Sequence, residues 1–396
     1  MNAGEACRPM EKPKEKIYNS LRRVEQWVED HHYKGYEPFD GLASYLRYLT
    51  FNSVLLERIL MQSVRRIVFN VRPLIGVPQK DSTKGRGYMA SGYMIMFRVT
   101  KDRSYLDKAT MCLDWLDENK SPYYEKHSWG NHFMFCSRGG RLPAFEPIIV
   151  WTSLIGQAFI DGYELTHELR FLKIIRSICD WIMAVPREVT KSGSCLSYVA
   201  PLTASIHNSN MLGAAMLARA FSYLKDPQLL TVAKEAIEYS CSRQLSDGSW
   251  WYGEPQTFHW IDNFHTAYNL DSLKAYSEWT RDRDYDTHLR KAFSFYKDHF
   301  FELDGTPRYY HNRTSPIDSQ CISQSIETLA NFSDYDKDSL PLGLKVANWA
   351  IDNMQDKERG YFYFRKYPLG IKNKTPMLHW AQATTYKGLA LLFSKL

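Results

Sequence analysis

One stretch of the chain concentrates side chains that move protons or grip hydroxyls. Residues 247–271 read DGSWWYGEPQTFHWIDNFHTAYNLD. They set Trp251 and Trp260 among Glu254, His259, Asp262, Asn263, His265, Tyr268 and Asn269. Sugar rings carry apolar C–H faces and many hydroxyls, and aromatic faces with interleaved amides and carboxylates suit them. Aromatic loop packing is the plainer reading for about half of these rings. Two further groups are of the same kind: Trp129-Gly-Asn-His-Phe133 with Arg138, and Tyr309-Tyr-His-Asn-Arg313 leading to Asp318. Polar residues also gather at His207-Asn-Ser-Asn210 and at His379-Trp-Ala-Gln382, which carries Trp380.

Two chemistries fit these residue types. Glycoside hydrolysis needs two carboxyl groups across one bond. Asp262 is the first candidate, with Asp40, Glu254 or Asp318 as its partner; spacing does not choose among them. Epimerisation or elimination at a uronic acid needs a cation or amide beside an enolate-like oxygen, and His or Tyr to carry the proton. Arg138 and Asn210 fit the first role, and His207, His265 and Tyr268 the second. Asp262, His265, Tyr268 and His207 are therefore the expected catalytic set. Asn208, Asn210, Trp251, Glu254, Trp260, Asn263, Arg138, Trp129, Asp40, Asp318, Trp380 and Gln382 are the expected substrate contacts. No metal site is expected: His259 and His265 are not an i, i+4 pair, and Arg281–Asp286 falls at a turn. No Gly-rich phosphate loop appears, and no cofactor is expected.

Something must hold such scattered groups together, and a repeat does. Five stretches align on turns at Asp102, Glu168, Asp226, Asp282 and Asp338. Such a period marks a repeated supersecondary unit. In each unit a first helix is apolar nearly all round, as in MLGAAMLARAF over 211–221, and is expected to be buried. A second is amphipathic, with Leu229, Val232, Ala233, Ala236 and Ile237 on one face, which marks an outer helix. A sixth first helix follows near Gln382. The expected fold is all-α: an (α/α)6 toroid over 81–396 with an N-terminal helical cap over 1–80. An open superhelix of hairpins is the alternative. The inner-helix starts, where polar residues gather, offer free N–H groups and a positive partial charge. N-capping accounts for one or two polar residues at each start.

Composition narrows the partners. The chain has 396 residues, a net charge of +6 and 24% charged residues. No basic block or nucleic-acid motif is present, so nucleic acid is not an expected partner. No uncharged run reaches the length of a spanning helix. Seven scattered cysteines without C-x-x-C suit reduced thiols and a cytoplasmic location.

The hairpin repeat, His-Asn-Ser-Asn at 207–210, Trp-Ile-Asp-Asn-Phe-His at 260–265 and Trp-Ala-Gln-Ala at 380–383 together resemble the six-hairpin (α/α)6 superfamily. Within it the chain is similar to uncharacterised toroids of surface-polysaccharide biosynthesis. The resemblance covers about residues 80–396. It implies an enzyme of hydrolase, lyase or epimerase type acting on a saccharide or uronate at the inner-helix mouth. It leaves room for association with glycan-assembly machinery. A second resemblance competes. Gln244-Leu-Ser-Asp-Gly-Ser-Trp250 fits the Q-x-x-x-G-x-W pattern of terpenoid cyclases, and Gln355–Phe362 is a looser copy. That likeness implies a prenyl-binding toroid, although the D-x-D-D acid is absent. A non-catalytic glycan-binding protein is the remaining alternative.

Overall fold

The computed structural model describes residues 12–137, 140–201 and 205–396. Helices α1 (Lys12–Asp30) and α2 (Val54–Arg66) come first. Five hairpins follow. They pair α3 (Thr83–Thr100) with α4 (Arg103–Glu118), and α5 (Ile149–Thr166) with α6 (Leu169–Ala184). Next come α7 (His207–Leu224) with α8 (Pro227–Cys241), and α9 (Asn263–Thr280) with α10 (Asp286–His299). Last are α11 (Ser319–Asn331) with α12 (Ser339–Met354). A π-helical turn, Leu378–Ala383, then leads into α13 (Thr384–Ser394).

The odd-numbered helices from α3 to α13 form a closed inner ring. Each packs on the next, and α13 packs back on α3. Closure surrounds each inner helix with others: every residue from His207 to Ala218 of α7 is buried. Each hairpin turn is made locally. In four of the five hairpins the inner helix ends on a residue in left-handed backbone (Lys101, His167, Lys225, Arg281). At two of these turns an aspartate then caps the outer helix: Asp102 accepts from the Ser104 N–H and Asp226 from the Gln228 N–H. The all-α toroid expected from the repeat is the fold observed.

The sixth outer position is filled by α1. At the end of α8, the Gln244 side chain donates to the Gly248 carbonyl of its own turn and to the His288 carbonyl on α10. At the end of α12, Gln355 donates to the Gly360 carbonyl and to the Ser20 carbonyl on α1. The two clamps are equivalent, so α1 stands to α12 as α10 stands to α8. The turn glycines say the same. Gly193, Gly248, Gly305 and Gly360 all have positive φ, and a Cβ on each would lie within 3 Å of the neighbouring outer helix: α8, α10, α12 and α1 in turn. The first eighty residues, expected as one cap, thus divide. The amphipathic α1 completes the outer wall against α12 and α13, and the segment after it meets the start of the last inner helix, where Tyr36 bridges to Met377 and Glu37 accepts from the His379 N–H. The glutamine–glycine–tryptophan pattern is thereby explained as ring construction, with the Trp250 indole N–H donating to the Ser240 carbonyl.

Candidate active site

The inner-helix starts hold most of the expected residues, and α9 carries a carboxylate–imidazole pair. Asp262 is the N-cap of α9. One carboxylate oxygen accepts from the His265 backbone N–H at 3.0 Å. The other meets His265 Nδ1 at 2.7 Å and accepts from the Trp260 indole N–H at 2.9 Å. The aspartate is buried and the histidine is partly open, with side-chain exposures of 2% and 21%. A carboxylate on Nδ1 fixes the Nδ1–H tautomer and leaves the Nε2 lone pair free. The ring is held between Tyr252 and Phe264, with centroids at 4.5 and 4.0 Å. This is the geometry of a general base with an orienting acid.

One helical turn further in, Tyr268 is buried, and its hydroxyl is a junction. It meets Tyr88 OH at 2.9 Å and accepts from Gln320 Nε2 at 3.2 Å and Lys84 Nζ at 3.3 Å. Burial pushes the phenol well above its ordinary range. Lys84, on the first turn of α3, is 3% exposed and lies over the Trp151 ring at 4.6 Å. It makes no carboxylate ion pair among the described residues. Burial lowers its amine to about 7, against an opposing pull from Glu37 and Glu327. On the neighbouring wall, His379 pairs through Nδ1 with Glu37 and packs edge-on against Trp151 and Trp380. Burial lowers this imidazole below its usual value. Its Nε2 is buried with no hydrogen-bond partner among the described residues.

The three expected partner carboxylates are each engaged elsewhere. Asp318 caps α11, accepts the Trp380 indole N–H at 2.6 Å and pairs with Arg365 at 2.5 Å. Asp40 pairs with Arg72 at 2.7 Å and accepts the Glu37 N–H; burial, outweighing Arg72, raises it to about 6. Glu254 meets His207 Nε2 at 2.8 Å and Arg243 at 3.4 Å, and the bond from His207 holds it below its ordinary value. Asp262 and Asp318 share one motif, a capping aspartate held by an indole, but a histidine completes the first and an arginine the second.

Several expected contacts are construction elements in the structure. His207 is 1% exposed, and its Nδ1 meets Ser240, so neither ring nitrogen is left for a substrate proton. Asn210 bonds the Leu196 N–H and the Ala236 carbonyl, and Gln382 bonds both the N–H and the carbonyl of Phe362. Asn263 accepts from Tyr296 and Ser325 in the core. Trp129 is fully buried, stacked on Phe159, with its N–H on the Leu116 carbonyl. Asn208 is buried, with its Oδ1 unpartnered. Trp251 and Trp260 are half-buried, stacked on His259 at 4.9 Å and Tyr252 at 4.6 Å. Arg138 lies outside the described residues. Residue type and spacing alone did not single out Lys84 or Glu37. A lysine one residue into an otherwise buried first helix, Thr83-Lys-Gly-Arg-Gly-Tyr-Met89, was the available signal.

No family model matches the sequence, and no curated protein matches it in sequence. Solved structures do match. Cellobiose 2-epimerase from Bacillus thermoamylovorans B4167 superposes with a TM-score of 0.67 at 12% identity, over 96% of this chain and 98% of that one. An unsaturated glucuronyl hydrolase specific for heparin gives 0.64 at 13% identity, over 96% of each chain. A D-mannose isomerase gives 0.64 at 12% identity, over 98% and 99%. At such identities the likeness establishes the shared toroid, end to end.

Proposed function

We propose that this chain is a carbohydrate-transforming enzyme of the epimerase or isomerase type, acting on a saccharide or uronate at the inner-helix mouth. The observation that carries the reading is the Asp262–His265 pair, with a free Nε2 beside a wall of aromatic rings. His265 takes the proton from the carbon next to a carbonyl. The electron pair moves onto the carbonyl oxygen, and the Lys84 amine with the Tyr268 and Gln320 side chains offers donors for that charge. The His265 imidazolium then delivers that proton in one of two ways. Delivery to the opposite face of the original carbon, after the enolate has turned in the site, gives the epimer. Delivery to the neighbouring carbon, whose hydroxyl becomes the new carbonyl as its proton passes to the first oxygen, gives the isomer. Two-carboxylate hydrolysis is disfavoured because Asp40, Glu254 and Asp318 are each already paired with a cation or a histidine. Fold likeness to an epimerase, an isomerase and a hydrolase of sugars supports the substrate class. The setting in surface-polysaccharide assembly rests on the sequence resemblance, and the cytoplasmic location on the scattered cysteines.

The test works across sugar classes, before any one sugar is identified. The protein is incubated in D2O with reducing mono- and disaccharides and with uronates, and loss of the proton signal next to the carbonyl carbon is followed by NMR. Deuterium entering one sugar class with wild type, and not with His265→Gln, supports the proposal. Release of reducing ends or unsaturated products without any deuterium entry sinks it in favour of cleavage.

A further inference from the structure

A soluble fold normally leaves its large apolar side chains exposed singly. Here they are gathered. Of the 22 exposed among the described residues, 11 lie within residues 45–74 and two more, Leu369 and Ile371, in the hairpin 365–374. Tyr48 is 86% exposed, Phe51 83% and Leu369 98%. The two segments join where the Asn373 amide donates to the Ile67 carbonyl at 2.8 Å.

The charges there have one sign. Residues 45–74 hold five arginines and a single acid, Glu57. That acid is fully buried and spent on Arg141 and Arg47. Residues 365–374 hold four cations and no acid. Arg72 and Arg365 are consumed by Asp40 and Asp318, but Arg66 and Lys374 stand exposed. Lys366, Lys374 and Lys357 crowd Lys372, so burial and like charge together lower its amine.

Backbone geometry points the same way. Phe51 and Leu369, two of the most exposed apolar tips, both sit in left-handed backbone, φ +50° and +59°. That conformation is disfavoured for bulky L residues and persists where surrounding structure imposes it.

We infer that the face formed by residues 45–74 and 365–374 docks on an anionic lipid bilayer, with apolar tips entering the headgroup layer and the unpaired cations meeting lipid phosphates. Exposed Leu, Phe and Tyr beside Lys and Arg, with no free acid among them, are the features of a helix and loops that lie in a membrane interface. An acidic protein partner would be met by the cations but not by the apolar tips. A second copy would set two like-charged faces against each other. Because α2 carries Arg65 onto Phe39, which packs on Trp380, docking holds the mouth at headgroup level. This inference stands apart from the reaction proposed above.

The full chain is mixed with phosphatidylcholine vesicles, with or without about one-third phosphatidylglycerol, and floated on a density gradient. Flotation is expected with the anionic vesicles alone and is expected to weaken with salt. An apolar variant (Phe51→Ser, Leu55→Ser, Leu369→Ser) should lose most of it. A charge variant (Arg58→Gln, Arg66→Gln, Lys374→Gln) should lose roughly fivefold for each charge removed. All of these side chains but the half-buried Arg58 are exposed, and unchanged far-UV dichroism and melting confirm that both variants fold. No flotation of wild type, or equal flotation of wild type and both variants, overturns the inference. So does a wild-type dimer in light scattering that the apolar variant dissolves, with no lipid binding by either.

Discussion

Replacing Asp262 by Asn tests the proposed catalytic pair with little change in shape. The carboxylate accepts from the His265 N–H, from His265 Nδ1 and from the Trp260 indole. Asparagine keeps one oxygen, which continues to cap α9, and capping strength is nearly retained. Its amide nitrogen takes the place of the other oxygen. There it faces the indole N–H donor to donor, and it turns Nδ1 into an acceptor. The proton moves to Nε2, the atom that has to be free. The half-buried indole regains some water, so the stability cost is about 1–3 kcal/mol. For a chain of this size that is a fall in Tm of roughly 1–4 °C. Activity should fall much further, by about 10²–10⁴, the usual worth of a positioned acid–base group. The assay is deuterium entry beside the sugar carbonyl, run with thermal melting on the same samples. Asp262→Asn and His265→Gln should cost similar amounts, and the double variant scarcely more, because the residues act as one unit. A folded Asp262→Asn protein exchanging deuterium within about threefold of wild type would refute the assignment.

Other consequences follow from single groups. Lys84 has its folded pKa lowered to about 7 from 10.5, so between those values the unfolded chain binds a proton that the folded one does not. Its contribution to stability therefore rises with pH across that window; Lys84→Met should stabilise the protein at pH 6 and flatten the wild-type rise above 7, read by denaturant melts across pH. Asp40 runs the opposite way: its folded pKa, raised to about 6 from 3.8, makes stability fall as pH rises between those values, and Asp40→Asn should remove that slope. Gln355→Ala removes both bonds to Ser20 and the bond to the Gly360 carbonyl, costing about 2–4 kcal/mol and exposing α1 to early proteolysis; α1 surviving as long as in wild type would contradict its place in the ring. Gly248→Ala places a Cβ 2.5 Å from the Lys291 carbonyl oxygen at φ +94°, and a loss above about 2 kcal/mol is expected in urea unfolding.

The residues show how far local pattern reaches. The all-apolar run at 211–221 and the one-sided stripe at 229–237 can each satisfy only one environment, so inner and outer helices were readable before any contact was known. The acidic turns marked the hairpins, and at Asp102 and Asp226 the reason is local, because a cap acts within two or three residues. Asp262 with His265 was readable for the same reason: both lie in one helical turn. What the sequence could not carry was partnership between distant residues. His207 and Asp318 read as well as His265 and Asp262 do, until Glu254 and Ser240 take both nitrogens of the one, and Arg365 and Trp380 both oxygens of the other. Lys84 looks like an ordinary basic residue until ring closure sets α3 beside α13 and brings its amine to Tyr268, with Trp151 beneath it. Nor does local pattern say that α1 belongs beside α12, since a clamp from Gln355 to Ser20 spans almost the whole chain. Periodicity determined the hairpins and their inner and outer walls, because burial of a face is a property of each helix alone, whereas closure of the ring was visible only in the packing of α13 on α3. Tertiary structure decided which polar groups stay free for chemistry, because a side chain's availability depends on every partner that the closed ring brings within reach.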